Sequence, residues 1–179
     1  MKVSPSSFGT ITLLALAGLL VGGCTPDMTI TPRDINVVLD PGLKGKPVEI
    51  NLYGANSSDL DAWREVCIDE YWKDGNSLRK DTADKAILSF ESGSTDLTKT
   101  FSDKEPVWQE WKQRGGENLI VLAEIPGSTG SWKGDCKSDP RRVVIPLNRN
   151  RWDNVSTPII LRIHGGAITL ETPFRPAER

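Results

Sequence analysis

Apolar and polar residues alternate along much of the chain after residue 34, with the period of two that is typical of β-strands. The clearest case is VEINLY, residues 48–53, whereas LIVLAEI, residues 119–125, is almost wholly apolar and fits a central strand. The pattern predicts strands at residues 35–39, 48–53, 86–91, 97–101, 119–125, 142–147, 159–164 and 167–172.

One segment between these strands has a helical period. In DLDAWREVCIDEYW, residues 59–72, the side chains of Leu60, Trp63, Cys67 and Tyr71 recur every three or four residues. This spacing predicts a helix with one buried face, capped at its start by Ser58 or Asp59 and followed by Gly75.

A second short helix is predicted after Pro106. Ser102 and Glu105 have the spacing of a capping box, and Trp108 and Trp111 would share one helical face. An irregular loop fits this segment almost equally well.

Glycines and prolines mark the connections. Gly165 and Gly166 separate the last two predicted strands and indicate a hairpin, because glycine supplies the positive φ of the favoured turns. Pro146 favours an edge position for the strand that contains it. The fold class predicted is mainly β, a two-sheet antiparallel β-sandwich with one or two short inserted helices.

The first part of the chain has a different pattern. Lys2 is its only charge, and an apolar run from Phe8 to Val21 would make about 21 Å of helix, short of the roughly 30 Å core of a bilayer. This is typical of a secretory signal. The alternative is an N-terminal core helix, but the run lacks the polar face that a half-buried helix would have.

The end of this run, Val21-Gly22-Gly23-Cys24, resembles the lipobox of bacterial lipoproteins. The resemblance implies cleavage before Cys24, whose thiol would carry a diacylglyceryl group. Thr25, where some lipoproteins have Asp, resembles the signal for transfer to the outer membrane, although retention in the inner membrane stays open. The alternative is an ordinary signal peptide cut elsewhere.

The domain organisation predicted is a lipoprotein signal peptide at residues 1–23, a lipidated N-terminus and tether at 24–34, and a β-sandwich domain at 35–179. The tether is polar and contains two prolines. No second long apolar run follows it.

Charge and cysteine content limit the possible partners. The formal net charge of −2 gives no reason to expect nucleic acid. Cys67 and Cys136 are the remaining cysteines, and in an oxidising compartment they suggest one disulfide, with two buried free thiols as the alternative. With His164 the only histidine and no CxxC pair, neither a metal site nor a cofactor is predicted.

Catalytic chemistry has weak support. His164 precedes the predicted hairpin turn and suits a surface role. Carboxylates between Asp59 and Asp74 could act as a pair, but such spacing on a helix is typical of a solvated face. We therefore predict that the chain is not an enzyme.

The six tryptophans suggest either core packing or recognition. We expect Trp63 and Trp111 in the core. Trp132 lies in a glycine-rich loop and is the best candidate for an exposed aromatic. The Trp108 and Trp111 pair is a further candidate for stacking on sugars.

The order of these elements resembles the TssJ family, the outer-membrane lipoproteins of the type VI secretion system. The likeness is carried by INVVL at 35–39, GKPVEINLY at 45–53, the segment from LDAW at 60–63 through WKDGNSL at 72–78, and LIVLAE at 119–124. The segment Ile125-Pro126-Gly127 and the pair of cysteines depart from the family pattern.

The resemblance implies a transthyretin-like β-sandwich anchored to the outer membrane and facing the periplasm. It further implies binding to the periplasmic domain of the TssM inner-membrane protein through the loop after the first strand. In this sequence the loop supplies Leu43, Lys44 and Lys46 as interface candidates. The alternative function is a lipid-tethered module that recognises glycan or another protein through exposed tryptophans, Trp132 above all.

Overall fold

Two four-stranded sheets form the framework of the part that the computed structural model describes, residues 30–81 and 84–176. Their strand orders are β4-β1-β7-β8 and β3-β2-β5-β6. The strands are β1 Ile35–Leu39, β2 Val48–Ala55, β3 Ala86–Phe90, β4 Thr98–Phe101, β5 Asn118–Glu124, β6 Arg142–Pro146, β7 Ile159–Ile163 and β8 Ile168–Leu170. The α-helices are α1 Ser57–Glu65, α2 Ile68–Tyr71, α3 Ser77–Asp81 and α4 Val107–Gln113.

The main core lies between the two sheets. Strands β1 and β7 bury every second residue, and Ile35, Val37, Ile159 and Leu161 have no exposed surface. Each fully buried aliphatic side chain contributes about 1.5–3 kcal/mol. The predicted two-sheet sandwich is confirmed. One pairing departs from the predicted antiparallel arrangement, because β1 and β7 are parallel, with Ile35 opposite Ile159.

A second apolar cluster covers the outer face of the β3-β2-β5-β6 sheet. Helices α1 and α2 bring Trp63, Ile68 and Tyr71 onto Ile120 and Leu122 of β5. Strand β5 is therefore buried on both faces, which explains why its sequence is apolar without alternation.

The predicted helix at 59–72 is wrong in its continuity, because the chain is extended at Val66 and Cys67 between α1 and α2. The N-terminal cap also differs from the predicted Ser58 or Asp59. It is Asn56, whose side-chain oxygen accepts a hydrogen bond from the Asp59 amide at 2.9 Å. At the end of α1, the Arg142 guanidinium donates to the carbonyls of Trp63 at 2.9 Å and Val66 at 2.7 Å. A side chain distant in sequence thus satisfies the terminal carbonyls of α1.

The predicted second helix exists as α4 and starts later than its capping box. The Ser102 hydroxyl accepts the Lys104 amide at 3.2 Å within a turn, and the first helical residue is Val107. Pro106 explains the delay, because a proline disfavours the helical conformation in the residue before it. Trp108 and Trp111 do share a face, and both are buried in the main core.

Strands β7 and β8 form the predicted hairpin, with Leu161 opposite Leu170. The predicted reason for it is wrong, since neither Gly165 nor Gly166 has a positive φ. The turn is closed by the His164 amide, which donates to the Ala167 carbonyl at 2.9 Å. Strand β6 lies at a sheet edge, as Pro146 indicates.

Candidate interaction surfaces

The sandwich has two ends with different roles in the chain. Residues 30–34 precede β1, so they lie at one end, together with residues 147–158 and 171–176; we call this the entry end. The loop after β1 lies at the other end with residues 91–97, 125–141 and 164–167, which we call the loop end. Any attachment before residue 30 is therefore separated from the predicted partner loop by the length of the strands.

Leu43 anchors the loop between β1 and β2 to the main core. Its side chain is only 2 % exposed and belongs to the main core. Leu43 therefore holds the loop in place and presents no surface to a partner, which corrects its prediction as an interface residue. Lys44 and Lys46 are exposed on either side of Gly45, whose φ of +73° suits glycine.

This loop is also tied to its neighbours at the loop end. The Gly93 amide donates to the Gly45 carbonyl at 2.9 Å. Asp40 lies 2.6 Å from Nδ1 of His164 and 3.8 Å from the Arg162 guanidinium. His164 is partly exposed beside the turn, and its Nε2 lies 3.1 Å from the Thr169 hydroxyl. The lysines thus project from a braced platform.

A second loop, residues 127–141, projects beside it and carries Trp132. The Trp132 side chain is among the exposed large apolar groups, at 36 %, as predicted. Its indole N–H donates to the Asp135 carbonyl at 2.8 Å, and its ring covers Gly134 so closely that a Cβ there would lie 2.3 Å from the ring. One face of the indole is therefore packed on the loop itself.

A disulfide and an ion-pair network fasten this loop to the helices. Cys67 and Cys136 are bonded, with their Cα atoms 4.6 Å apart. Arg141 is buried, and its guanidinium contacts Asp139 and Asp69, each at 2.6 Å. The hydrogen bond to Asp139 holds the pKa of Arg141 above its ordinary value.

Asp69 links helix α2 to the loop at 127–141 electrostatically. Its carboxylate accepts from Arg141 and, at 2.9 Å, from the Gly130 amide. Burial acts to raise the pKa of Asp69, but these hydrogen bonds outweigh it and hold the pKa below its ordinary value. Asp69 is therefore a structural anion at neutral pH.

Three of the carboxylates considered for catalysis lie beside cations. Asp61 pairs with Arg64 at 3.2 Å and Glu70 with Lys73 at 2.5 Å, while Asp69 faces Arg141. A catalytic pair would require two carboxylates facing each other across a cleft. Within residues 30–81 and 84–176, no group of three or more His, Cys, Asp or Glu side chains is placed to hold a metal ion.

Five of the six tryptophans are buried. Trp63 and Trp111 pack in the core, as expected. The proposed sugar platform of Trp108 and Trp111 is wrong, because their exposed fractions are 1 % and 0 %. Of the six tryptophans, Trp132 alone is exposed for recognition by aromatic stacking.

Cys24 lies outside the described residues, but the last part of the predicted tether does not. Ile30 is 2 % exposed and forms a β-bridge with Asn148. The Arg33 guanidinium is 3 % exposed, stacks 4.2 Å above the Trp152 ring and donates to the carbonyls of Asn154 and Thr157. Residues 30–34 thus belong to the folded domain.

Arg33 is a residue that the sequence pattern did not single out. Its surroundings consist of backbone carbonyls and an indole ring more than 110 residues away in the chain, which no local period reveals. The same holds for Arg142, whose guanidinium donates to carbonyls of Trp63, Val66, Cys136 and Lys137. No helix in the part that the structure describes is long and apolar enough to cross a membrane.

No protein-family model and no curated protein matches the chain. Among solved structures, it is similar to a type VI membrane complex, with 15% identity, coverage of 79% of this chain and 98% of that chain, and a TM-score of 0.48. It is also similar to Lip of Serratia marcescens, a membrane-bound component of the type VI secretion system. The match has 13% identity and a TM-score of 0.41, and it covers 78% of this chain and 96% of Lip.

The chain is also similar to the type VI secretion lipoprotein TssJ1 from Pseudomonas aeruginosa. The match has 15% identity and a TM-score of 0.38, and it covers 82% of this chain and 99% of TssJ1. At these identities and TM-scores the likeness by itself assigns no function to this chain.

Proposed function

We propose that this chain is a lipoprotein, anchored to the outer membrane through Cys24 and facing the periplasm, that acts as a structural scaffold of a type VI secretion membrane complex. Its partner would be the periplasmic domain of a TssM-type inner-membrane protein. The observation that carries the proposal is the separation of the entry end, where the chain arrives from Cys24, from the loop end, where Lys44 and Lys46 project.

The lipobox-like residues before Cys24 support the proposed anchor. Each buried methylene of an acyl chain contributes about 0.8 kcal/mol, and two or more chains hold a protein stably on a membrane. Membrane affinity would then come from the lipid, so the domain itself needs only to hold its partner.

The partner surface is suited to docking because it is braced. Leu43 fixes the loop from the core, and the Gly93–Gly45 hydrogen bond fixes it from the side. A loop that is ordered before binding loses less conformational entropy when a partner docks. The sequence resemblance to the TssJ family implies a partner contact at this same loop. The role that we propose is non-enzymatic.

The test is capture of the partner by the acylated protein in detergent, with the periplasmic domain of the TssM-type protein from the same cells as prey. Replacing both loop lysines, Lys44→Glu with Lys46→Glu, should lower capture at least tenfold, because like charges or lost contacts at an interface cost affinity. The matched control is Lys104→Glu with Lys112→Glu, two exposed lysines near α4.

Equal capture by the wild-type protein and the loop variant would overturn the docking site. Failure of the wild-type protein to capture the domain would overturn the scaffold role itself. Mass spectrometry of residue 24, in protein taken from its native cells, tests the anchor independently of both.

A second candidate function is glycan recognition by a lipid-tethered module, and the exposure of Trp132 favours it. Stacking of a sugar on the indole would change its fluorescence, while the five buried tryptophans would stay constant. A titration with envelope glycans should then give a signal that Trp132→Ala abolishes. A flat titration would remove this candidate.

A further inference from the structure

Four arginines gather at the entry end. Arg149 and Arg151 belong to a short turn, Arg149–Arg151, that directly follows the bridge partner of Ile30. Arg175 joins them, since its amide donates to the Arg151 carbonyl at 2.7 Å. Arg33 lies beneath them, stacked on Trp152. We call the exposed residues Arg149, Phe174 and Arg175, together with the half-buried Arg151, the arginine face.

We propose that the arginine face rests on the anionic lipid head groups of the membrane to which Cys24 is attached. The inference depends on the acylation of Cys24 in the proposed function. It goes beyond that function by assigning the surface of the domain that faces the bilayer.

The length of chain before the domain supports this orientation. Five residues, 25–29, separate the acylation point, Cys24, from the buried Ile30. Even fully extended, the six steps from residue 24 to residue 30 span at most about 22 Å. Because Ile30 pairs with Asn148, next to Arg149, the arginine face is held within a short distance of the bilayer surface.

The charge of this end is opposite to that of the chain. The whole sequence has a formal net charge of −2, whereas the residues of the entry end, 30–34, 147–158 and 171–176, contain four arginines and three carboxylates, a formal charge of +1 (4 − 3). The carboxylates are Asp34, Asp153 and Glu171, and Glu171 pairs with Arg162 of β7. Asp153 pairs with Arg175 at 2.6 Å. Arg149 is exposed and has no ion pair within the described residues. A positive surface close to an anionic bilayer is attracted to it within a Debye length.

Arg33 adds a buried charge to this end. Its Nη1 atom is buried without a hydrogen-bond partner among the described residues, and the acceptors of its other nitrogens are carbonyls rather than carboxylates. Its charge is therefore not neutralised by a nearby anion. An anionic head group outside would partly compensate it.

The arginine face also has the aromatic component expected at a membrane interface. Phe174 is 38 % exposed, its ring centroid lies 5.8 Å from that of Trp152, and the Arg151 guanidinium lies 5.5 Å above it. Arginine stems and exposed aromatic rings favour the boundary between head groups and acyl chains.

A polar groove adjoins the arginine face. It encloses about 650 Å³, and its lining includes Arg149, Arg175, Asn150, Asn154, Ser156 and the carboxylate of Asp153. Guanidinium and amide donors that converge on one concavity are suited to phosphate oxygens. The groove therefore offers a place for a lipid phosphate.

The test measures how close each end of the domain lies to the bilayer. Acylated full-length protein carrying Asn150→Cys is labelled with a fluorophore and reconstituted into vesicles containing lipids with a nitroxide on the head group. A second protein carries the label at the loop end, at Thr95→Cys. The two vesicle types are phosphatidylcholine alone and phosphatidylcholine mixed with phosphatidylglycerol.

We expect strong quenching at Asn150→Cys that is greater in the anionic vesicles and falls as salt is added, and little quenching at Thr95→Cys. Arg149→Gln with Arg175→Gln should lower the ratio of docked to undocked protein about fivefold for each arginine removed. The matched control, Arg64→Gln with Lys80→Gln, removes two exposed cations elsewhere and should leave the ratio unchanged.

Quenching at Asn150→Cys that is the same in neutral and anionic vesicles would overturn the proposal, as would equal quenching at Thr95→Cys. The proposal would also be overturned if the variant with Arg149→Gln and Arg175→Gln had the same ratio of docked to undocked protein as the control variant. Each variant is checked for an unchanged unfolding midpoint. Capture of the TssM-type domain is measured separately, so loss of docking with retained capture would refute this inference and leave the scaffold role standing.

Discussion

At the scale of single residues, the indole ring of Trp111 depends on how closely the backbone can approach it. Trp111 has no exposed surface, and its indole N–H donates to the Asp84 carbonyl at 2.7 Å. Its ring lies directly on Gly54 of β2, where a Cβ would come within 2.3 Å of Trp111 Cγ. Gly54 is therefore required by packing, since its φ is not positive.

We predict that Gly54→Ala destabilises the domain by about 1–3 kcal/mol, because the added methyl overpacks the core against Trp111. The measurement is the free energy of unfolding in urea. Gly42→Ala is the matched control: a Cβ there meets nothing within 4 Å, so its effect should be within about 1 kcal/mol and can be stabilising. Equal effects of the two substitutions would contradict this account of Gly54.

Asp69 gives the loop end a dependence on pH. Its pKa is lower in the folded protein than in the unfolded chain, because Arg141 and the Gly130 amide stabilise the carboxylate. The unfolded state therefore binds a proton more readily than the native state. The stability contributed by Asp69 is fully present above the ordinary value of 3.8 and is lost as pH falls through the lower native pKa.

We predict that Asp69→Asn lowers the urea midpoint at pH 7 and makes the further decline between pH 7 and strongly acidic pH smaller than in the wild-type protein. Asp61→Asn is the control, since that carboxylate is 88 % exposed and pairs with Arg64 on the same helix. If Asp61→Asn and Asp69→Asn had the same pH profile, Asp69 would not be the linking anion described here.

At the scale of elements, alternation predicted strands such as β1 and β7, because each of them has a buried and a more open face. Strand β1 occupies the predicted residues, Ile35–Leu39, and its side chains alternate between buried and half-buried. The parallel partnership of β1 with β7 was not predictable, because nothing in either strand encodes a partner more than 120 residues away.

The features that the pattern missed depend on long-range contacts. The sequence around Leu43 predicts a loop, yet its side chain is buried in the core between the two sheets, which come together only when the chain folds. The helix at 59–72 is interrupted at Cys67, where an extended backbone lets the thiol meet Cys136. Trp132 could be predicted because its glycine-rich surroundings offer little to bury it.

The disulfide is the element-scale link between α1, α2 and the loop at 127–141. We predict that Cys67→Ser with Cys136→Ser destabilises the domain by roughly 4 kcal/mol, given the chain-entropy model and a sequence separation of 69 residues. Hydrogen exchange should rise in residues 127–138 and in α2, while β1 and β7 stay protected.

The control for this prediction is a reductant. Dithiothreitol should lower the stability of the wild-type protein towards that of the serine variant and leave the variant unchanged. Equal exchange in the loop with and without the disulfide would mean that Arg141 and Asp139 hold it without help.

At the scale of the whole molecule, the surface proposed to contact the membrane and the surface proposed to contact the protein partner lie at opposite ends of the sandwich. The entry end combines the short segment after Cys24 with a positive surface, and the loop end presents Lys44, Lys46 and Trp132 on braced loops. If the anchor is acylated as proposed, the segment alone brings the entry end near the bilayer, and the arginine face determines how the domain stands there.

These two contributions can be separated by lengthening the segment. We predict that inserting about ten Gly and Ser residues between Met28 and Thr29 leaves the unfolding midpoint unchanged, because the insertion lies in the predicted tether, ahead of the buried Ile30, and adds only flexible chain. In neutral vesicles the label at Asn150→Cys should lose most of its quenching, since the reach of the chain no longer confines it. In anionic vesicles the quenching should persist, because the arginines still bring the entry end to the head groups. An equal loss in both kinds of vesicle would show that confinement by the short segment, rather than charge, sets the orientation of the domain.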